Sequence, residues 1–277
     1  MSRPSVGFVG LGSQGGPMAQ RIIDEGFATT VWARRAEQTE AFASAGARVA
    51  TDLVELGSVS DVLCVCVVAD ADVDAVLRGP QGALAGMAPG GIVVLHSTVH
   101  PDTCRRLQAD FPQLGVVDAP VSGGGHKAAT KELLVMVGGD ADTFARCRPV
   151  LETFADPLVH LGPLGSGQEA KLLNNAVFAA QLGLASDAFT IAVERGLDPR
   201  ALATVLRAGS ARSYAAELVA GDHHLAGMAQ LAGDLLAKDV GIVTGLLAPA
   251  QPGLLAAAAA TLATMAAAND EGIADDR

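Results

Sequence analysis

The chain has 277 residues, half of them hydrophobic and 18% charged, with a formal net charge of -11. That length buries a substantial core and suits two domains of ordinary size. The acidic balance excludes the basic face that nucleic acid or an anionic membrane selects, so the expected partner is a small molecule, with no nucleic acid and no membrane.

In chain order, the first apolar run, Val6 to Leu11, is shorter than a signal-peptide core and is broken by glycines, so the expected compartment is the cytoplasm. Seven runs have strand length: SVGFVGLG, ATTVWARR, DVLCVCVV, GIVVLHST, GVVDAP, ELLVMVGG and PLVHLGP. Helical patterns lie between them, including Pro17 to Glu25, Gln38 to Ala45 and Ala141 to Phe154. This alternation predicts βαβ units around a parallel sheet. After Pro163 the pattern changes to helical segments separated by GLDP, AGS, AGDHH and APAQPG. The glycine-rich LGPLGSG marks the boundary, giving a dinucleotide-binding domain over 1–164 and an all-helical domain over 165–277. The helix that follows is expected to reach about Arg195; some 30 residues at 1.5 Å each span roughly 45 Å, enough to bridge two domains or two subunits. The Ala-rich stretch from Gly253 to Ala268 owes its apolarity to alanine and falls short of a membrane span of about 18 strongly apolar residues, so it reads as a closely packed soluble helix. Cys64, Cys66, Cys104 and Cys147 form no C-x-x-C pair and have no histidine at ligand spacing, so reduced thiols and no metal are expected. Cys64 and Cys66 alternate within one strand and should face the same side as core filler.

The first strand leads into VGFVGLGSQGGPMAQRI, which sets Gly10, Gly12 and Gly15 in G-x-G-x-x-G spacing, with Leu11, Ser13 and Gln14 completing the loop. The first glycine permits the tight turn, the second lets backbone approach a pyrophosphate, and the third lets the helix pack close to the sheet. The helix N-terminus then offers free N–H groups to the phosphates. At the end of the second strand, an NAD site offers a carboxylate to the ribose 2'-hydroxyl, whereas a 2'-phosphate calls for arginine. Here Arg34 and Arg35 stand there, with no carboxylate before Glu37. Two guanidiniums suit a phosphate dianion and favour NADP(H) over NAD(H); the other reading of the pair is solvated surface charge.

With GFVGLGSQGGPMA at the start, DAPVSGG at 118–124, GSGQEAKLLNN at 165–175 and KD at 238–239, all in order, the chain resembles the β-hydroxyacid dehydrogenase family over nearly its whole length. The resemblance implies a Rossmann domain joined by a long helix to an all-helical domain. It also implies that Lys171 is the catalytic residue, that Asn175 hydrogen-bonds the substrate, and that Asn174 packs or supports the cofactor. Four residues apart on one helix, Lys171 and Asn175 share a face. An ammonium there can protonate a carbonyl oxygen as hydride reaches carbon, and a neutral amine can take the hydroxyl proton in reverse. By the same resemblance Ser122, Gly123 and Gly124 hold the substrate carboxylate, although a bare turn is the alternative reading of the glycines. Thr98 matches a position at the nicotinamide end. Lys238 matches a lysine that reaches the cofactor, with Asp239 beside it completing the pocket. Val67 and Val68 lie where the family's Met-Leu-Pro loop runs along the cofactor.

The sequence also departs from the family pattern. His126 and Lys127 follow the substrate loop and either add positive charge to the site or form a solvent-facing turn. Leu231 stands where many relatives carry a pocket phenylalanine, His96 replaces a more usual acidic residue, and His223 and His224 read as a solvated loop. The expected activity is an NADP-linked interconversion of a small 3-hydroxy acid and its semialdehyde. Imine reduction is an alternative within the architecture, opposed by the retained Lys171, and a cofactor-binding sensor or scaffold is the alternative outside enzymology. Alanine-rich helical surfaces with few large residues predict a homodimer closed through the helical domain.

Overall fold

Strand β1 (Val6–Val9) is buried along its whole length, as a continuous apolar run requires at the centre of a parallel sheet. The computed structural model describes residues 3–222, 225–248 and 252–275; His223 and His224 lie outside them. The chain forms two units, Met1–Lys171 and Leu172–Arg277.

In the first unit β1 is followed by α1 (Gly15–Asp24), β2 (Thr29–Trp32), α2 (Glu40–Ser44), β3 (Arg48–Val49), α3 (Leu53–Ser58), β4 (Val62–Val65), α4 (Asp70–Leu77), β5 (Ile92–Leu95), α5 (Pro101–Asp110) and β6 (Gly115–Asp118). Then come β7 (Val121–Ser122), α6 (Gly124–Ala129), β8 (Leu133–Gly138), α7 (Ala141–Leu151) and β9 (Ala155–Gly162). The sheet order is β3-β2-β1-β4-β5-β6-β8-β7, with β9 also paired to β8. Each of the seven predicted strand runs holds one strand, and the two-residue β3 and β7 are additions too short to leave a periodic signal. From β3 to β6 every pairing is parallel. The parallel order ends there: β8 runs antiparallel to β6 and β7, since only β7 and the six-residue α6 intervene, too little chain for a helical crossover.

Period-two alternation sorts the core onto the two faces of this sheet. Phe8, Cys64, Val94 and Val117 join Met18, Ile22 and Phe154 on one side. Their neighbours Val9, Leu63, Val65, Val93 and Val116 join Leu56 and Leu107 on the other. Cys64 and Cys66 share the first side, where burial pushes the Cys66 thiol up to about 12 and the Cys64 thiol higher still. All four cysteines are free.

Helix α8 (Ser166–Glu194) carries the chain into the second unit, followed by α9 (Pro199–Ala208), α10 (Tyr214–Asp222), α11 (Ala226–Leu247) and α12 (Gly253–Asp275). The division between the units falls after Lys171, seven residues beyond the boundary read from the glycine-rich segment (171 against 164). The first turns of α8 belong with the sheet because Asp118 holds the backbone N–H groups of Gly165 and Gln168. By length and a mean hydropathy of 1.6, α8 is apolar enough to cross a membrane, whereas composition had pointed only to the alanine run. Its residues Leu172, Ala176, Leu182 and Phe189 are buried in the cores of the helical unit. Helix α12 extends the alanine run through to Asp275.

Candidate active site

The glycine loop joins β1 to α1 as the spacing predicts. Gly10 has a φ of 98°, and a Cβ there would collide with the Cys66 carbonyl, so both conformation and space require glycine. A Cβ on Gly15 would strike the Gly10 carbonyl, which keeps the start of α1 against the loop. A Cβ on Gly12 would meet nothing within 4 Å, so this backbone faces open space. Gln14 stands at the N-cap of α1 without a side-chain cap bond, and Ser13 precedes it.

That open space is a cleft of about 360 Å³ lined by Gly10, Leu11, Gly12, Arg34, Val67 and Val68, so six of the sequence-derived cofactor residues converge on it. Trp32, Gln38, Cys66 and Asp72 line it as well, and periodicity alone gave no sign of them. Arg34 lies in the lining, whereas Arg35, one residue on, leads into a 3₁₀ turn at Ala36–Thr39 and does not. Neither arginine makes an ion pair among the described residues. A backbone that only glycine can adopt, facing a cleft with a guanidinium at the end of β2, fits a dinucleotide.

At the carboxyl ends of β5 and β6 lie the other loops of the first unit. Ser122 pairs with Leu134 across β7 and β8, and Gly123 and Gly124 hold positive φ values of 131° and 74°. A Cβ on Gly125 would collide with the Ser13 carbonyl, so this loop and the glycine loop touch backbone to backbone. His126 is exposed, and Lys127, about half exposed, pairs with Glu132 at 2.8 Å. Thr98 is partly exposed between the buried Ser97 and Val99. His96 is fully interior: its Nδ1 lies 2.9 Å from the Ala119 carbonyl, and its ring stacks on Phe8 and meets the edge of Phe154. The carbonyl only accepts, so Nδ1 carries the proton; burial lowers the ring to a pKa of about 4, and Nε2 has no hydrogen-bond partner among the described residues.

Lys171 occupies the second turn of α8, partly exposed. The head of this helix is bound to the first unit by Asp118, whose carboxylate accepts from the backbone N–H of Gly165 at 2.6 Å and of Gln168 at 2.7 Å. Burial raises the Asp118 carboxyl, and those N–H groups oppose the shift. Neither Asp118 nor Gln168 was singled out from the sequence; the available signal was a polar residue ending an apolar strand and another opening an apolar helix.

In the second unit, Asn175 donates through Nδ2 to Asp239 Oδ2 at 2.6 Å and accepts through Oδ1 from Asn174 at 3.1 Å. Asp239 is buried, and Lys238 Nζ stands 2.9 Å from its Oδ1 without hydrogen-bond alignment. Asp239 thus fixes the amide of Asn175: a carboxylate accepts only, so Nδ2 must face it. Asn174 supports this arrangement from the exposed side. Leu231 is exposed on α11.

A parallel sheet with a glycine cradle at its carboxyl ends, followed by a helix that presents a lysine and an asparagine on one face, defines a nicotinamide-dinucleotide-dependent oxidoreductase. Comparison with known proteins identifies which one. Residues 5–162 match the NAD binding domain of 6-phosphogluconate dehydrogenase, and residues 165–277 match the NAD-binding domain of NADP-dependent 3-hydroxyisobutyrate dehydrogenase. The chain belongs to the β-hydroxyacid dehydrogenase family. It is 31% identical to mouse mitochondrial 3-hydroxyisobutyrate dehydrogenase over 218 residues, 78% of this chain and 65% of that enzyme. It is 32% identical to the L-threonate dehydrogenase of Cupriavidus necator over 285 aligned positions, covering 100% of this chain and 94% of that one. Among solved structures, Mycobacterium tuberculosis 3-hydroxyisobutyrate dehydrogenase with L-serine superposes with a TM-score of 0.83 at 28% identity, covering 96% and 94% of the two chains. Psf3 in complex with NADP+ and 2-OPP superposes with a TM-score of 0.81 at 28% identity, covering 94% and 93%.

Proposed function

We propose that this chain is an NADP(H)-preferring dehydrogenase or reductase that interconverts a small 3-hydroxy acid and its semialdehyde, with Lys171 as the general acid and base. The observation that carries the reading is the meeting of a glycine-only backbone and Arg34 in one cleft, on the unit that ends at Lys171 in the second turn of α8. The nicotinamide supplies or accepts the hydride. Gly10, Leu11 and Gly12 would cradle the pyrophosphate with Ser13, Gln14 and Gly15 at the head of α1. Arg34 would hold the 2'-phosphate, and Val67 and Val68 would lie along the dinucleotide.

For the substrate, the positive-φ turn at Gly123 and Gly124 would offer backbone N–H groups, together with the Ser122 hydroxyl, as a neutral cradle for a carboxylate. In reduction the Lys171 ammonium gives its proton to the carbonyl oxygen, so the alkoxide never forms free. In oxidation the neutral amine takes the hydroxyl proton. Asn175 keeps one N–H and one lone pair for substrate once Asp239 and Asn174 have taken the others. The named relatives are dehydrogenases of 3-hydroxyisobutyrate and L-threonate, both short hydroxy acids, which supports a small hydroxy acid as substrate.

The test is oxidation of NADPH or NADH, followed by absorbance, with glyoxylate and with succinic, methylmalonate and tartronate semialdehydes. The expected result is turnover of one aldehyde with NADPH, reduced by about 100- to 10,000-fold in Lys171→Ala while cofactor affinity persists. Undiminished turnover in that variant would remove Lys171 from the chemistry.

The same reading includes a homodimer. On α8, Leu173, Val177, Leu184 and Ile191 are all exposed and fall on one face at helical spacing, opposite Lys171 and Asn175. Light scattering should give twice the chain mass, and Leu184→Glu should shift it toward the monomer; a wild-type monomer at micromolar concentration would overturn the dimer.

A further inference from the structure

Gln168 is the one polar side chain on α8 that is wholly inaccessible. Its carboxamide spans a single residue of the loop after β5: Oε1 accepts from Val99 N–H at 3.0 Å, and Nε2 donates to the Ser97 carbonyl at 2.8 Å. The residue straddled is Thr98. Ser97 is bound in turn, because its hydroxyl accepts from Val67 N–H at 2.9 Å in the loop that lines the cofactor cleft. The backbone N–H of Gln168 ends on Asp118, at the close of the strand that leads to Ser122. One glutamine therefore ties together the loop of Thr98, the strand end before the Ser122 turn, and the helix that presents Lys171 three residues later.

Its surroundings are shaped to hold this register. A Cβ on Gly167 would stand 2.8 Å from Asp118 Oδ2 and would strike the Met136 carbonyl, and a Cβ on Gly138 would collide with Asp118 Oδ1. The head of α8 thus meets β8 backbone to backbone around one buried carboxylate, with no room to slide. An uncharged amide of this length both donates and accepts, as the Ser97 and Val99 backbone demands.

We propose that Gln168 is a positioning residue for hydride transfer: its carboxamide clamp sets Thr98, and with it the nicotinamide end of the site, in register with Lys171. The proposal rests on the dehydrogenase reading above. Hydride transfer depends steeply on the placement of donor and acceptor, so loosening the clamp slows that step while the distant part of the cofactor cleft continues to bind.

The test compares Gln168→Leu and Gln168→Glu with wild type. NADPH affinity is read from the fluorescence of Trp32, the single tryptophan of the chain, which lines the cleft. Turnover is measured with NADPH carrying deuterium at the transferred position, and exchange of the Val99 amide is followed directly. In Gln168→Leu, affinity should stay near the wild-type value, kcat should fall about 10- to 100-fold, the isotope effect should rise, and Val99 should lose protection. Gln168→Glu, kept protonated by burial, offers a carbonyl oxygen to Val99 and an O–H to the Ser97 carbonyl in a less exact geometry, so it should recover part of the rate and most of the protection. Unchanged kcat and isotope effect would overturn the proposal. So would a parallel fall in affinity, stability and kcat at a constant isotope effect, the mark of a merely structural role. Should the leucine variant not fold, the glutamate variant is measured in the same way, and either of these two outcomes overturns the proposal there as well. Absence of turnover in wild type would sink the dehydrogenase reading instead, and Val99 protection would still decide whether the clamp exists.

Discussion

The two units of this chain secure their polar residues by different means. In the first, Asp118 and Gln168 act on backbone: carboxylate to the N–H groups of Gly165 and Gln168, carboxamide to Ser97 and Val99. In the second, Asn174, Asn175, Lys238 and Asp239 act on one another's side chains. Their cores differ in the same sense. Among the described residues, ten of the 20 buried in the two clusters of the helical unit are alanine, against seven of the 41 buried in the two clusters of the sheet unit. A site anchored on backbone is as rigid as the sheet beneath it, whereas one built from side-chain pairs on alanine-rich helices depends on each partner being present.

That contrast can be broken by experiment. The largest effect should come from acid. His96 is neutral in the folded first unit with a pKa near 4, against an ordinary value of 6.5 when exposed. Between those values the unfolded chain binds a proton that the folded chain refuses, so stability is full above this window and falls as pH drops through it, by about 3 kcal/mol in all. Urea denaturation at several pH values should show this slope in wild type and a flatter one in His96→Asn; equal slopes would mean that some other group governs acid lability.

Next is Arg34→Ala, which should weaken NADPH about 10- to 100-fold by removing a charge-assisted contact to the 2'-phosphate. NADH affinity should be left alone and Arg35→Ala should change far less, since Arg35 does not line the cleft. Equal losses for both cofactors by Trp32 fluorescence would end the NADP preference. The smallest change is expected from Asp239→Asn. It lets the Asn175 amide turn over and should raise KM for the aldehyde about tenfold through one lost hydrogen bond, with cofactor affinity steady. If cofactor affinity falls instead, the Asn175–Asp239 pair serves the dinucleotide and the distinction between the units does not hold.

The sequence by itself determined the elements that depend on local chemistry. Seven strands, the glycine loop and the long helix follow from periodicity and from the φ angles that only glycine supplies, and these are properties of neighbouring residues. The ordered motifs also sufficed to place the chain in its family. Tertiary structure alone decided which polar groups meet. Lys127 pairs with Glu132, and only Arg34 of the arginine pair lines the cleft. His96 is buried between two phenylalanines distant in sequence. Asp118 and Gln168, fifty residues apart, share one hydrogen bond at the base of α8. Such pairings are set by how strands order themselves in the sheet and by where burial strips water from a polar group, and no local spacing in the chain records either.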